Sequence, residues 1–289
     1  MTAPFPIPAQ ADPLPPLRHQ RARGAGRLSV KWSGGASRID RLFQEGSARI
    51  RLPRVVSGHP LEAVLINTAG GLTGGDRMDW HFEAGSGTAV SLTTQACEKT
   101  YKASDEVPAE VSTRLIIGEA ASLSWLPQET ILFDHAALSR RFEIDLAGQS
   151  RLLMVEPVVF GRLAMGERMT SGRFQDRWRI RMGGRLVHAE DFRIGPDIAA
   201  MLGRAAGASG GRAMATVLMI APDAADRLDA VRRIVGSAGG ASAFALRRAG
   251  TGKLLARIIA DDSYSLRKSL VPLIGLLNEQ AGLPKIWSL

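Results

Sequence analysis

Hydrophobic positions recur at every second residue through most of the chain from about Arg27 to Ile220. Met78, Trp80 and Phe82 alternate with Asp79, His81 and Glu83, the period that sends successive side chains to opposite faces of a strand. Phe142, Ile144 and Leu146 alternate with Arg141, Glu143 and Asp145 in the same way. A third segment sets Phe174, Trp178, Ile180 and Met182 on one face, with Asp176 the exception, and Arg173, Gln175, Arg177, Arg179 and Arg181 on the other. Gly183-Gly184 then predicts a tight hairpin turn into Arg185–Ala189. With Gly, Pro, Asn and Asp between the segments, residues 27–215 read as a β-rich body.

From about Thr216 the texture changes, and residues 216–289 read as a smaller α/β subdomain packed on the body. Thr216–Ile220 predicts a buried strand. Asp223 is placed to cap a helix carrying Leu228, Val231, Ile234 and Val235, which Gly236 stops. Strands follow over Ala241–Arg248 and Lys253–Ala260. A second helix from about Ser263 carries Leu266, Leu270, Leu273, Ile274 and Leu277, with Pro272 as a kink and Gly282 and Pro284 beyond its end. Residues 1–26, rich in Pro and then Arg, read as a flexible leader. No repeat of fixed period is visible.

Composition narrows the function classes. A chain of 289 residues, 45% hydrophobic, is an ordinary globular protein. Its single cysteine, Cys97, excludes an internal disulfide and a multi-thiolate zinc site, and with no signal-peptide core it predicts a cytoplasmic protein. The net charge of +9 invites a nucleic-acid reading. The arginines are spread along the chain, however, and no nucleic-acid module is present.

Asp79, His81 and Glu83 share one strand face and could jointly hold a metal ion, although a solvated face carries such residues routinely. The arginine row from Arg173 to Arg181 could receive an acidic surface, or could be the wet side of a sheet. Cys97 has only Lys99 as a nearby cation, which predicts an unactivated thiol. Asp134 and His135 would point apart if they lay in a strand.

The densest signal is Asn67-Thr68-Ala69-Gly70-Gly71-Leu72-Thr73-Gly74-Gly75-Asp76. Gly70 and Gly75 have P-loop spacing, but Asp76 and Arg77 stand where Lys and Ser/Thr should follow, and a carboxylate at the mouth repels phosphate. Three more strings follow: Thr93-Thr94-Gln95-Ala96-Cys97-Glu98-Lys99-Thr100-Tyr101, Trp125-Leu126-Pro127-Gln128-Glu129-Thr130-Ile131-Leu132-Phe133-Asp134, and Glu156 to Glu167 with Gly161-Arg162-Leu163-Ala164-Met165-Gly166. In this order, with the terminal Pro284-Lys285-Ile286-Trp287, they resemble the urease accessory protein UreD (UreH) family from about Arg27 to the C-terminus. Cys97 and Glu98 fall in a variable part of their string, and His135 stands where the family more often has glycine.

The resemblance implies a mainly β fold, a helically wound stack of strands with a small C-terminal α/β portion containing two helices. It also implies an assembly factor rather than an enzyme, one that binds apo-urease with UreF and the GTPase UreG while UreE supplies nickel. The cargo is transient nickel, with no tightly bound cofactor, and the family is thought to pass it through an internal watery passage. A conduit must attract the cation without trapping it, so spaced carboxylates suit it better than a His/Cys cage. Asp76, Glu98, Glu129, Glu156 and Glu167, all inside the family-like strings, are the candidate path-lining groups; the alternative for each is a loop-pinning carboxylate. Two rival classes stand beside this reading: a β-rich hydrolase working through paired carboxylates, which requires two of them in one closed pocket, and a basic nucleic-acid binder, which requires salt-resistant sequence preference.

Overall fold

The computed structural model describes residues 21–56, 58–104, 107–162, 165–246, 250–278 and 281–288. Most of the leader lies outside the described residues. Its last six residues do not, and the final four of them open β1 (Arg23–Ser33), which pairs with β2 (Ala36–Gly46) in a long hairpin. β3 (Ala48–Arg51) then leads into β4 (Leu61–Asn67), where winding begins. The chain continues through β5 (Arg77–Ala84), β6 (Ala89–Thr94), β7 (Glu98–Thr100), β8 (Ala109–Ile117), β9 (Ser122–Leu126), β10 (Thr130–Leu132), β11 (Ala137–Leu146), β12 (Arg151–Phe160) and β13 (Arg173–Met182). Next come β14 (Arg185–Ile194), α1 (Ile198–Gly203), β15 (Ala213–Ala221), α2 (Leu228–Val235), β16 (Gly239–Ala245), β17 (Gly252–Ala260) and α3 (Ser263–Leu277).

The strands alternate between two sheets. One runs β14-β13-β11-β8-β5-β1-β2 and the other β16-β17-β15-β12-β9-β6-β4-β3. Within the winding, β5, β8, β11 and β13 are parallel neighbours, as are β4, β6, β9 and β12, so the chain describes a β-solenoid of about 4 turns. Register pairs Leu61 with Val90, Ala89 with Ser122, and Ser122 with Arg151. Coil length therefore varies from turn to turn, because the corner loops differ in length, and no fixed period can appear in the sequence.

The period-two faces become the inner wall. Phe82, Trp125, Phe142 and Trp178 pack successively between the sheets, with ring centroids 6.1, 5.5 and 6.0 Å apart. A second core lies outside the solenoid, where Val155, Val217 and Leu254 of the second sheet meet Val231 of α2 and Leu266, Leu270 and Leu273 of α3. β12 is thus covered on both faces, which explains its nearly unbroken apolar run. β15 and β17 extend the solenoid's own sheet, so the C-terminal α/β portion is continuous with the body.

The hairpin at Gly183-Gly184 forms, with φ of 54° and 79°. Gly236 ends α2 at φ 54°. Asp223 does not cap that helix; its carboxylate pairs with Arg151 at 2.6 Å and Arg227 at 3.0 Å, two cations that outcompete backbone N–H groups for the same oxygens. The cap at α3 is Asp262, accepting from Ser265 N at 2.7 Å. The short helix α1 has no counterpart in the sequence reading, since its six residues are too few for a helical period to emerge.

Candidate functional site: a carboxylate-lined cavity at one corner

The four motif strings are the same corner of four successive coils. They join β4 to β5, β6 to β8, β9 to β11 and β12 to β13, and they hydrogen-bond to one another rung by rung. Leu72 N donates to Lys99 O at 2.7 Å, Glu98 N to Glu129 O and Phe133 N to Thr100 O at 3.0 Å, and Gly161 N to Leu132 O at 2.8 Å. Side chains tie the same rungs: Tyr101 meets Phe133 edge-on at 4.9 Å, and Arg162 lies 4.0 Å over the same ring. Each string thus depends on its neighbour's shape, which is why they occur together.

The glycine loop is a connection and not a cradle. Asp76, only 3% exposed, accepts from Ala22 N at 2.7 Å and Thr73 N at 2.8 Å, so both oxygens hold backbone. Asp76→Ala is expected to lower unfolding stability by about 1–3 kcal/mol through two buried donors left unpaired. An unchanged urea midpoint would sink this assignment.

Beneath the corner lies a cavity of about 320 Å³. Exposed Gly70, Gln95, Ala96 and Lys99 surround its mouth, and buried Trp125, Arg140 and Glu156 line its inner end, so it runs from the surface into the space between the sheets. Glu98 stands on its wall, receiving Asn67 Nδ2 at 3.2 and 3.4 Å. Burial pushes the Glu98 carboxyl up to about 7 against the pull of Asn67, and the nearby Asp76 adds to the rise. Glu156 is the inner carboxylate, 3% exposed, accepting from Trp125 Nε1 at 2.6 Å and facing Arg140 Nη1 at 2.5 Å. Burial lifts it to about 7 as well, with Arg140 opposing. Glu98 and Glu156 thus stand at successive depths of one cavity, each with its pKa raised by burial.

The other three candidates have settled partners. Glu129, 1% exposed, is gripped by Arg267 of α3, Nε to Oε1 at 2.6 Å and Nη2 to Oε2 at 2.8 Å. Burial acts to raise its pKa, but Arg267 outweighs it and the net direction is down. Arg267 also reaches Gln128 and lies 5.2 Å over the Trp287 ring, while Trp287 Nε1 donates to Leu126 O at 3.0 Å. The C-terminal motif therefore clamps the third string in place. Cys97 Sγ lies 3.3 Å from Glu129, and burial together with that carboxylate pushes the thiol up to about 11, so it is unactivated. Glu167 pairs with Arg162 and accepts from Asp134 N at 3.2 Å, pinning the fourth loop.

At the other candidate groups the structure chooses between the alternatives. Asp79, His81 and Glu83 point outward from the first sheet, partial burial and then Arg114 and Arg27 oppose protonation of His81, and among the described residues no cluster of three ligating side chains could hold a metal. Asp134 and His135 are not in a strand: His135 sits in a turn at φ 60°, which brings its Nε2 to 3.4 Å from Asp134. That left-handed backbone is one glycine adopts without strain. In the arginine row, Arg179 and Arg181 pair with Asp191 and Glu143 at 2.5 and 3.0 Å, the wet side of a sheet.

Arg140 is the buried cavity-lining residue that the sequence reading missed. It lies in phase with Leu138 and Phe142 on β11, at 6% exposure, and pairs with both Glu156 and Asp176. The exceptional Asp176 on an apolar face was the available signal: a buried carboxylate calls for a buried cation on a neighbouring strand.

Among the described residues no helix is long and apolar enough to cross a membrane. The model of the UreD urease accessory protein family matches residues 22–288. The chain is 55% identical over 275 residues to "Urease accessory protein UreD" of Mesorhizobium japonicum, covering 95% of this chain and 96% of the relative. It is 52% identical over 273 residues to "Urease accessory protein UreD 1" of Brucella melitensis, covering 94% and 96%. These matches span the whole winding and every rung of the corner ladder, and the chain belongs to the UreD urease accessory protein family, whose members are accessory proteins of urease maturation and not enzymes.

Proposed function

We propose that this chain binds apo-urease together with UreF and UreG in the cytoplasm, and that nickel supplied by UreE crosses the corner cavity on its way to the urease active site. The observation that carries the reading is the pair of carboxylates, Glu98 and Glu156, at successive depths of one cavity that opens at the family-specific corner. Nickel is cargo in this account, and nucleotide hydrolysis belongs to UreG. The paired-carboxylate hydrolase is disfavoured because Glu156 has Trp125 on one oxygen and Arg140 against the other, so it is not free to serve as the second member of a catalytic pair with Glu98.

Urease co-expressed with its accessory proteins, with and without this chain, is expected to differ at least tenfold in bound nickel and in urea hydrolysis. Equal nickel content in the two samples would overturn the proposal.

A further inference from the structure

Arg140 places a fixed positive charge at the inner end of a cavity proposed to carry a cation, and its surroundings explain how both can be accommodated. The guanidinium faces Glu156 through Nη1 at 2.5 Å and Asp176 through Nε at 3.1 Å and Nη2 at 2.5 Å. Nη1 also donates to Thr130 Oγ1 at 3.2 Å. The Phe142 and Phe174 rings lie 5.6 and 5.4 Å away. Asp176 is matched two-for-two by the guanidinium fork, whereas Glu156 is met by one nitrogen. The Glu156 contact is therefore the one that can be given up. Asp176, Thr130 and the two rings would still hold the guanidinium after its release from Glu156.

Resting on the reading that nickel enters this cavity, we propose that Arg140 is its resident counter-cation, occupying Glu156 until an arriving divalent cation displaces it onto Asp176. The charge balance gives the reason for such a device. With both carboxylates ionised, Glu156 on the cavity wall and Asp176 behind Arg140 leave a single negative charge beside the one guanidinium, enough to draw a divalent cation in and too little to neutralise it. With Arg140 absent, two buried carboxylates would match the divalent charge and the cavity would become a trap. Arg140 is a positioning residue here; it acts on the cation through Glu156.

The test is nickel binding by the full chain, measured by equilibrium dialysis with Ni²⁺ at fixed pH. Arg140→Gln is expected to bind Ni²⁺ at least tenfold more tightly than the parent, and Arg140→Gln combined with Glu156→Gln is expected to return to parental affinity. A merely structural role for Arg140 would weaken binding or leave it unchanged, and would not be reversed by the second substitution. Arg140→Lys, which keeps the charge but cannot span both carboxylates, is expected to tighten binding to an intermediate degree. It decides the matter if Arg140→Gln does not fold. Parental affinity in a folded Arg140→Gln chain, or in Arg140→Lys where only that chain folds, overturns the inference. The nickel-passage reading fails on a different result, namely full nickel loading of urease by Glu156→Gln, so the two failures are distinguishable.

Discussion

Arg267→Ala is expected to cost about 2–4 kcal/mol of unfolding stability. Arg267 is itself partly exposed, which reduces the figure below that of a fully buried pair, but its partner Glu129 is only 1% exposed and would be left with an uncompensated charge. The stacking on Trp287 and the contact to Gln128 are lost in the same step. The pH dependence has a definite sign. Glu129 has its pKa lowered in the folded chain, so its pairing stabilises above the ordinary glutamate range and fades as pH falls through the lowered value. The deficit of Arg267→Ala is therefore full above the ordinary glutamate range, at about pH 7, and narrows below it, at about pH 3. Denaturant melts at the two pH values check it; a deficit that grows on acidification contradicts the assignment.

Gly71→Ala is expected to be comparably damaging, by about 2–4 kcal/mol, and to unseat the glycine loop from the corner ladder. Gly71 has φ 144°, a conformation that L side chains rarely adopt, and a Cβ there would stand 2.7 Å from Lys99 O and collide with the Tyr101 ring. Lys99 O is the acceptor of the Leu72 N–H, so the clash falls on a bond that joins the first two coils. Gly70→Ala meets no atom within 4 Å and suffers only from its φ of 79°, so it is expected to cost about 1 kcal/mol. Equal melting points for the two variants would show that close approach is not what Gly71 provides.

The strands were legible because their inner faces are large and apolar at strict alternation, as at Met78, Trp80 and Phe82. The winding was not legible from periodicity: the coils advance unequally, and parallel register is set by contacts between residues about thirty positions apart. Resemblance supplied what local pattern could not. The motif strings mark five carboxylates as path-lining or loop-pinning groups, yet sequence alone does not separate those that hold backbone or a cation, Asp76, Glu129 and Glu167, from those that line the cavity, Glu98 and Glu156. That difference is made by partners on distant coils and on α3, such as Arg267, 138 positions from Glu129.

The central claim, that nickel reaches urease by way of the two cavity carboxylates, is tested most directly by the nickel content of urease matured with the Glu98→Gln/Glu156→Gln chain, in assemblies shown to contain every partner. The account predicts at least a tenfold fall in nickel per urease active site while the assembly remains intact, since both substitutions keep side-chain size and remove only the charge that draws the cation inward. Urease loaded to the parental level by that chain would contradict it.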